Sequence, residues 1–277
     1  MAKRKYILNK NTTIKRYIEG RGTGKGSEYK PWVTVHDYPS KGRISRVTGI
    51  KTKRVHHFLS DLERNFFFLC EWDDRVTDIQ EKYPLNRLST TDISEKANIH
   101  HPVSEEDGEP LVLTTDFLVT YYSTELKEES QKAFSVQYSS SLKSRKVIEL
   151  LEIQRRYWKE QGIPFFVFTE KEINKIAVNN IMFMLSAYDY INSSNFNEFD
   201  YKIDTLLERI QSFNGSLQLL LNQLDCEFNL DDGSFLQIFK SLLAHKTILF
   251  DITEPFDIKN PCLKYTVTSK KRSVSNL

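Results

Sequence analysis

The stretch LVLTTDFLVTYYS, residues 111–123, decides the fold. β-Branched and aromatic residues crowd it, as in a strand packed inside a sheet. Asp116 breaks the apolar run. An acid in such a strand needs a cation or a metal beside it, because burying an unpaired charge is costly. A second strand, KAFSVQYSS at 132–140, follows closely.

Working outward, LSDLERNFFFLCEW at 59–72 spaces Leu59, Leu62, Phe66, Leu69 and Cys70 by threes and fours, which predicts an amphipathic helix. RVTDIQEKYPL at 75–85 alternates Val76 and Ile79 with polar residues and stops at Pro84, a short strand. The polar stretch 86–109, with its HHP and DG turn signals, reads as a connection without periodic structure. Downstream, 144–161 predicts a long helix, and the continuous apolar run IPFFVFT at 163–169 predicts a buried strand. Phe66 to Phe68, with Phe165, Phe166 and Phe168, are expected in the core. The order is therefore helix, strand, strand, strand, helix, strand: an α/β domain over 51–169 with a mixed sheet flanked by helices.

Beyond it, Thr169 and Glu172 form a capping-box pair that opens a helix. Segments 198–213, 216–228 and 234–245 read as helices, and KTILFDIT at 246–253 as a strand. A mostly helical C-terminal domain over 170–258 follows, either a winged-helix-like module or a plain helical bundle. Residues 1–50 read as an irregular basic arm, and 259–277 as a loose basic tail.

The chain has 277 residues, 39% of them hydrophobic, enough for one large core or two ordinary ones. No apolar run approaches the roughly 18 residues of a membrane span, and MAKRKYILNKNTT lacks the apolar stretch of a secretory signal. The expected location is the cytoplasm. Cys70, Cys226 and Cys262 lie far apart, with neither a CxxC pair nor zinc spacing. The net charge of +2 conceals an asymmetry: residues 1–54 hold fifteen Lys or Arg against three acids, a net +12, and the remainder is −10. Such a basic front suits a phosphate-binding arm or a solvated tail. GRGTGKG at 20–26 is not a P-loop, since only three residues separate its first glycine from the GK pair and Gly26 follows Lys25.

Metal-dependent phosphodiester hydrolysis needs carboxylates that hold Mg²⁺, and two from different elements suffice. Glu63 on the first helix and Asp116 in the strand supply them, and Ser135-Val136-Gln137 begins nineteen residues after Asp116. That layout matches the PD-(D/E)xK core of restriction-endonuclease-like nucleases. Glu63 also lies three residues after Ser60, so a capping role competes with a site role.

Four strings narrow the match: GRGTGKGSEYKPWVTVHDYPSKGRISRV, TGIKTKRVHHFLSDLE, TTDFLV and LEIQRRYWKEQGIPFFVFTEKEIN. With their spacing, they resemble the TnsA endonuclease subunits of heteromeric bacterial transposases over roughly residues 19–185. The resemblance implies cutting of the 5′ strand at double-stranded transposon ends with Mg²⁺, with Mn²⁺ as a substitute. It also implies a DDE transposase partner, TnsB, and an ATPase regulator, TnsC, which binds the C-terminal part, with the protein at the nucleoid when on DNA. By resemblance Glu63, Asp116 and Gln137 are catalytic positions and Glu63, Asp116 and Ser135 metal positions, while Arg54, His56, His57 and Lys143 are the expected DNA contacts.

The chain departs from the family's third-strand Gln-x-Lys: Ser135 stands for the glutamine and Gln137 for the lysine. Gln154 stands for a glutamate just before RRYW. Either Gln137 holds a water through its amide while Lys143 or Lys146 reaches in, or the site is impaired. The two readings are a 5′-strand endonuclease and a non-catalytic scaffold bridging transposase, ATPase and DNA, with a stand-alone restriction or junction nuclease as a weaker third. The doublets His56-His57 and His100-His101 lack zinc spacing and read as surface or phosphate-proximal, and Arg155 and Arg156 as a solvated helix face.

Overall fold

The computed structural model describes residues 9–37, 43–191 and 196–268, with side chains omitted at 196–199. They divide into two units, Met1–Ile173 and Asn174–Leu277. The first runs α1 (Lys10–Ile18), β1 (Ser45–Thr48), β2 (Val55–Phe58), α2 (Asp61–Trp72), β3 (Val76–Pro84), α3 (Arg87–Ala97), β4 (Thr114–Ser123), β5 (Glu128–Val136), α4 (Arg145–Glu160) and β6 (Phe165–Phe168).

Strands β3, β4, β5 and β6 form one sheet in that order. The β3–β4 and β4–β5 pairs are antiparallel and β5–β6 is parallel, so the sheet is mixed, with α4 as the crossover that a parallel pair requires. Alternation along β4 assigns the layers. Phe117 and Val119 meet Phe66, Phe67 and Cys70 of α2, whereas Leu118 meets Ile93 of α3 and Ile153, Tyr157 and Trp158 of α4. Each fully buried aromatic or aliphatic side chain contributes roughly 1.5–3 kcal/mol. The expected α/β architecture, a mixed sheet flanked by helices, is the one observed.

Several local expectations need correction. The stretch 86–109 contains α3, in which only Thr90, Ile93 and Ser94 are buried, too few apolar residues to produce a periodic signal. Asn86 starts it by accepting from the Ser89 N–H. IPFFVFT is not buried throughout: β6 lies at the sheet edge, and Phe166 and Val167 are 46% and 39% exposed.

The segment taken as an irregular arm begins with α1, closed by a capping box in which Asn9 and Thr12 exchange hydrogen bonds. The chain then lies along β3, the opposite edge of the sheet. Gly26 N–H donates to Asp78, Gln80 donates to the Gly24 carbonyl, and Trp32 N–H donates to the Lys82 carbonyl. Satisfying an exposed edge in this way removes a pairing liability. Gly24 has φ +88, and a Cβ there would lie 2.6 Å from the Glu28 carbonyl oxygen, so this turn requires glycine.

The second unit comprises α5 (Lys175–Leu185), α6 (Phe196–Ser212), α7 (Leu217–Glu227), α8 (Ser234–Ala244) and a two-stranded antiparallel ribbon, β7 (Ile248–Leu249) with β8 (Thr266–Val267). The Thr169–Glu172 capping box is present, but it opens a single 3₁₀ turn, and α5 starts afresh from Asn174. Asp225, 2% exposed, accepts from Gly233 N–H and Phe235 N–H and so caps α8 from inside. The stretch 259–268 is not loose. Cys262 is fully buried with its N–H on the Gly215 carbonyl, and Tyr265 packs against Phe239. The rest of the expected tail, from 269 onward, lies outside the described residues.

Candidate active site

Glu63 is placed by the start of a helix. Ser60 is the extended N-cap of α2, and its hydroxyl accepts from Glu63 N–H at 3.1 Å. The Glu63 carboxylate turns back to accept from Leu59 N–H at 3.0 Å and from the Ser60 hydroxyl at 3.3 Å. The helix dipole favours a carboxylate at this position. Capping and site geometry therefore coexist in one side chain.

Asp116 is placed by the sheet. Its Oδ2 accepts from Val136 N–H at 2.8 Å and from the Ser135 hydroxyl at 3.2 Å, which ties it to the end of β5. Its Oδ1 accepts from Lys82 Nζ at 2.6 Å. The same ammonium lies 3.3 Å from Glu63 Oε2. Glu63 and Asp116 thus converge on one positive charge. The β3–β4 register explains Lys82: Glu81 is opposite Phe117 and Tyr83 opposite Thr115, which sets Lys82 across from Asp116.

Two carboxylates face one ammonium, leaving an excess negative charge. Burial pushes the Glu63 carboxyl above its usual range, Lys82 opposes that, and the Asp116 charge adds to it. Burial alone would depress the Lys82 ammonium, but Asp116 and Glu63 outweigh it and hold the amine protonated well above its ordinary range. The donor set fits a hard divalent ion: two carboxylates reach a single cation position, and Mg²⁺ takes one or two carboxylates and keeps several waters. No group of three or more His, Cys, Asp or Glu side chains suited to a metal occurs among the described residues, so an ion held by Glu63 and Asp116 would draw its remaining ligands from water.

The other expected residues separate. Ser135 is fully buried, and its hydroxyl donates to Asp116 and accepts from the Gln137 amide at 3.2 Å. Gln137 therefore touches the carboxylate only through Ser135. Asp116, Ser135, Gln137, Lys146, Gln154 and Arg16 share the wall of a cleft of about 340 Å³. Gln154 accepts from Thr115 at 3.0 Å, and Trp158 donates to the same hydroxyl at 2.8 Å. Lys143 is exposed on the turn before α4 and does not line the cleft.

Arg54 and His56 are placed differently from the expectation. Both are buried around Glu81, Arg54 through two guanidinium contacts and His56 through Nδ1 at 2.8 Å. Nε2 of His56 meets Thr52 at 2.7 Å, which leaves neither side chain facing a phosphate. His57 is half-buried beside them; burial lowers its pKa, so near neutral pH it carries little positive charge. Arg155 and Arg156 pair with Glu152 on the exposed face of α4, as expected of a solvated helix face.

Two residues escaped the sequence reading. Lys82 reads locally as one polar residue of an alternating strand, and only the strand register brings it to Asp116. Arg16 belongs to a helix that was not expected, and the ring of Trp32 packs 5.6 Å from its guanidinium.

Comparison with known proteins gives a consistent answer. The model of the TnsA-like endonuclease N-terminal domain matches residues 73–170, and that of the TnsA endonuclease C-terminal domain matches residues 172–252. The transposon Tn7 transposition protein TnsA of Escherichia coli is 35% identical over 260 residues, covering 92% of this chain and 91% of that protein.

Proposed function

This chain belongs to the TnsA endonuclease family, and on that footing we propose that it hydrolyses the 5′ strand at transposon ends in an Mg²⁺-dependent reaction. The observation that carries the reading is the convergence of Glu63 and Asp116 on one cation position, with Asp116 also lining an open cleft. Glu63 and Asp116 would hold the ion, and a divalent cation held there would supply polarisation of the phosphate and a lowered pKa for the attacking water. The chain's own residues do the rest. Ser135 and the Val136 N–H fix the Asp116 carboxylate, and Ser60 and the Leu59 N–H fix Glu63, so both are pre-oriented. In the hydrolysis the water oxygen bonds to phosphorus as the bridging P–O bond breaks. The water loses a proton to solvent, and the leaving oxygen gains one.

On this proposal the substrate is double-stranded transposon-end DNA, Mn²⁺ replaces Mg²⁺, and the partners are a TnsB-like DDE transposase and a TnsC-like ATPase. The protein then works in the cytoplasm of a bacterium, on the nucleoid when bound to DNA. Among the described residues no helix is long and apolar enough to cross a membrane.

One observation favours a second reading, a scaffold that bridges transposase, ATPase and DNA without cutting: position 137 carries an amide where the family carries a lysine. Incubating the chain with its transposase, end DNA and Mg²⁺ and mapping nicks on the 5′ strand separates the two. Nicks lost in Asp116→Ala support the endonuclease. An uncut 5′ strand with a joined 3′ strand supports the scaffold.

A further inference from the structure

We infer that Lys82, delivered from β3, is the cationic group of this active site and takes the role left open by Gln137. The inference rests on the nuclease reading above and deepens it. Asp116 sits on β4 between two neighbouring strands. Its Oδ2 is engaged from the β5 side by Ser135 and Val136, and its Oδ1 from the β3 side by Lys82. Directly opposed residues in an antiparallel pair are close enough for side chains to meet. A lysine on β3 therefore reaches the carboxylate across the strand flank opposite to that of position 137. Gln137 spends its amide on Ser135 and brings no charge.

Lys82 also has an unusual backbone. Its φ is +51°, in the left-handed region that β-strand residues other than glycine seldom occupy. Such strain is kept only where the surroundings enforce it, and here they do. The Lys82 carbonyl accepts from Trp32 N–H, and neighbouring Glu81 is locked by Arg54 and His56. Consecutive residues Glu81 and Lys82 are both buried, one serving an interior ion pair with Arg54 and the other contacting Glu63 and Asp116. Lys82 contacts two carboxylates, and one of them, Asp116, lines the open cleft.

Two consequences follow. Without a metal ion, the ammonium holds Glu63 and Asp116 together against their mutual repulsion. With a metal ion at the carboxylates, the flexible lysine stem lets the ammonium move aside and remain near the phosphate and the attacking water, where positive charge is useful.

The test uses the full chain as wild type, Lys82→Gln, Lys82→Met and the double variant Lys82→Gln/Gln137→Lys, with folding checked by circular dichroism. Mn²⁺ affinity is read by titration calorimetry on each. Nicking of the 5′ strand is read on end DNA with the transposase partner. The inference expects Mn²⁺ to bind the two single variants at least several-fold tighter, because no ammonium competes, while their nicking falls about a hundredfold. It expects the double variant to recover at least tenfold of that loss. Single variants that nick within threefold of wild type, or faster, overturn it, the latter outcome marking Lys82 as a plug. If wild type itself leaves no nick, the nuclease reading fails, and the Mn²⁺ titration decides alone. Unchanged affinity in both single variants then removes Lys82 from the cation position, and tighter binding keeps it there.

Discussion

Lys82 and Asp116 face each other across the β3–β4 pair with ammonium and carboxylate 2.6 Å apart, both largely withdrawn from solvent. Removing Asp116 takes away the nearer partner of the ammonium and leaves it with Glu63 alone at 3.3 Å. Asp116→Ala is expected to lower unfolding stability by about 1.5–3 kcal/mol, the cost of a lost charge-assisted hydrogen bond, while Asp116→Asn, which retains an acceptor, should cost less. Urea denaturation of the three proteins measures the difference, and equal midpoints would show that the pair adds no stability.

Arg54 should behave as a structural residue. Its guanidinium holds Glu81 inside the unit, so Arg54→Gln is expected to cost about 3–5 kcal/mol in stability. In variants that remain folded, the salt dependence of DNA binding should be unchanged. A loss of DNA affinity at constant stability would return Arg54 to the DNA interface.

Lys143 should behave in the opposite way. It is exposed on the turn before α4, and Lys143→Ala should change stability by no more than about 0.5 kcal/mol. If the side chain neutralises one phosphate, the slope of log affinity against log salt becomes shallower by about 0.9. Filter binding at several salt concentrations checks this, and an unchanged slope removes Lys143 from the interface.

Acid should act on stability through Glu81. Burial alone would raise its pKa, but His56 and Arg54 outweigh burial and hold the carboxyl far below the usual range. A depressed folded-state pKa means the stabilisation is complete above the unfolded value, about 4.3, and is lost as pH falls below it toward the folded value. Stability of the wild type should therefore decline as pH falls below about 4.3, and Glu81→Gln should flatten that part of the profile while lowering the plateau. Parallel profiles for the two proteins would contradict this assignment.

What the sequence made legible was the part written in local pattern. The spacing of Leu59, Leu62, Phe66 and Cys70 by threes and fours marked α2, the β-branched run around Asp116 marked β4, and a lone acid in that run marked the candidate site. α3 stayed hidden because its buried face is mostly Thr90 and Ser94, and α1 because its cap is an Asn–Thr pair in a basic segment. Arg54 and His56 looked like phosphate contacts because a buried Glu81 partner 25 or 27 residues away leaves no local trace. Lys82 was missed for the same reason, since pairing with Asp116 depends on strand register rather than spacing.

The most direct measurement is strand-specific mapping of cleavage at transposon ends in the assembled transposase with Mg²⁺, for wild type and Glu63→Gln. The account predicts 5′-strand nicks by wild type, their loss on chelation, and none from the variant even though it still joins the assembly. A wild-type assembly that joins the 3′ strand and leaves the 5′ strand whole, or a Glu63→Gln protein that nicks like wild type, would contradict it.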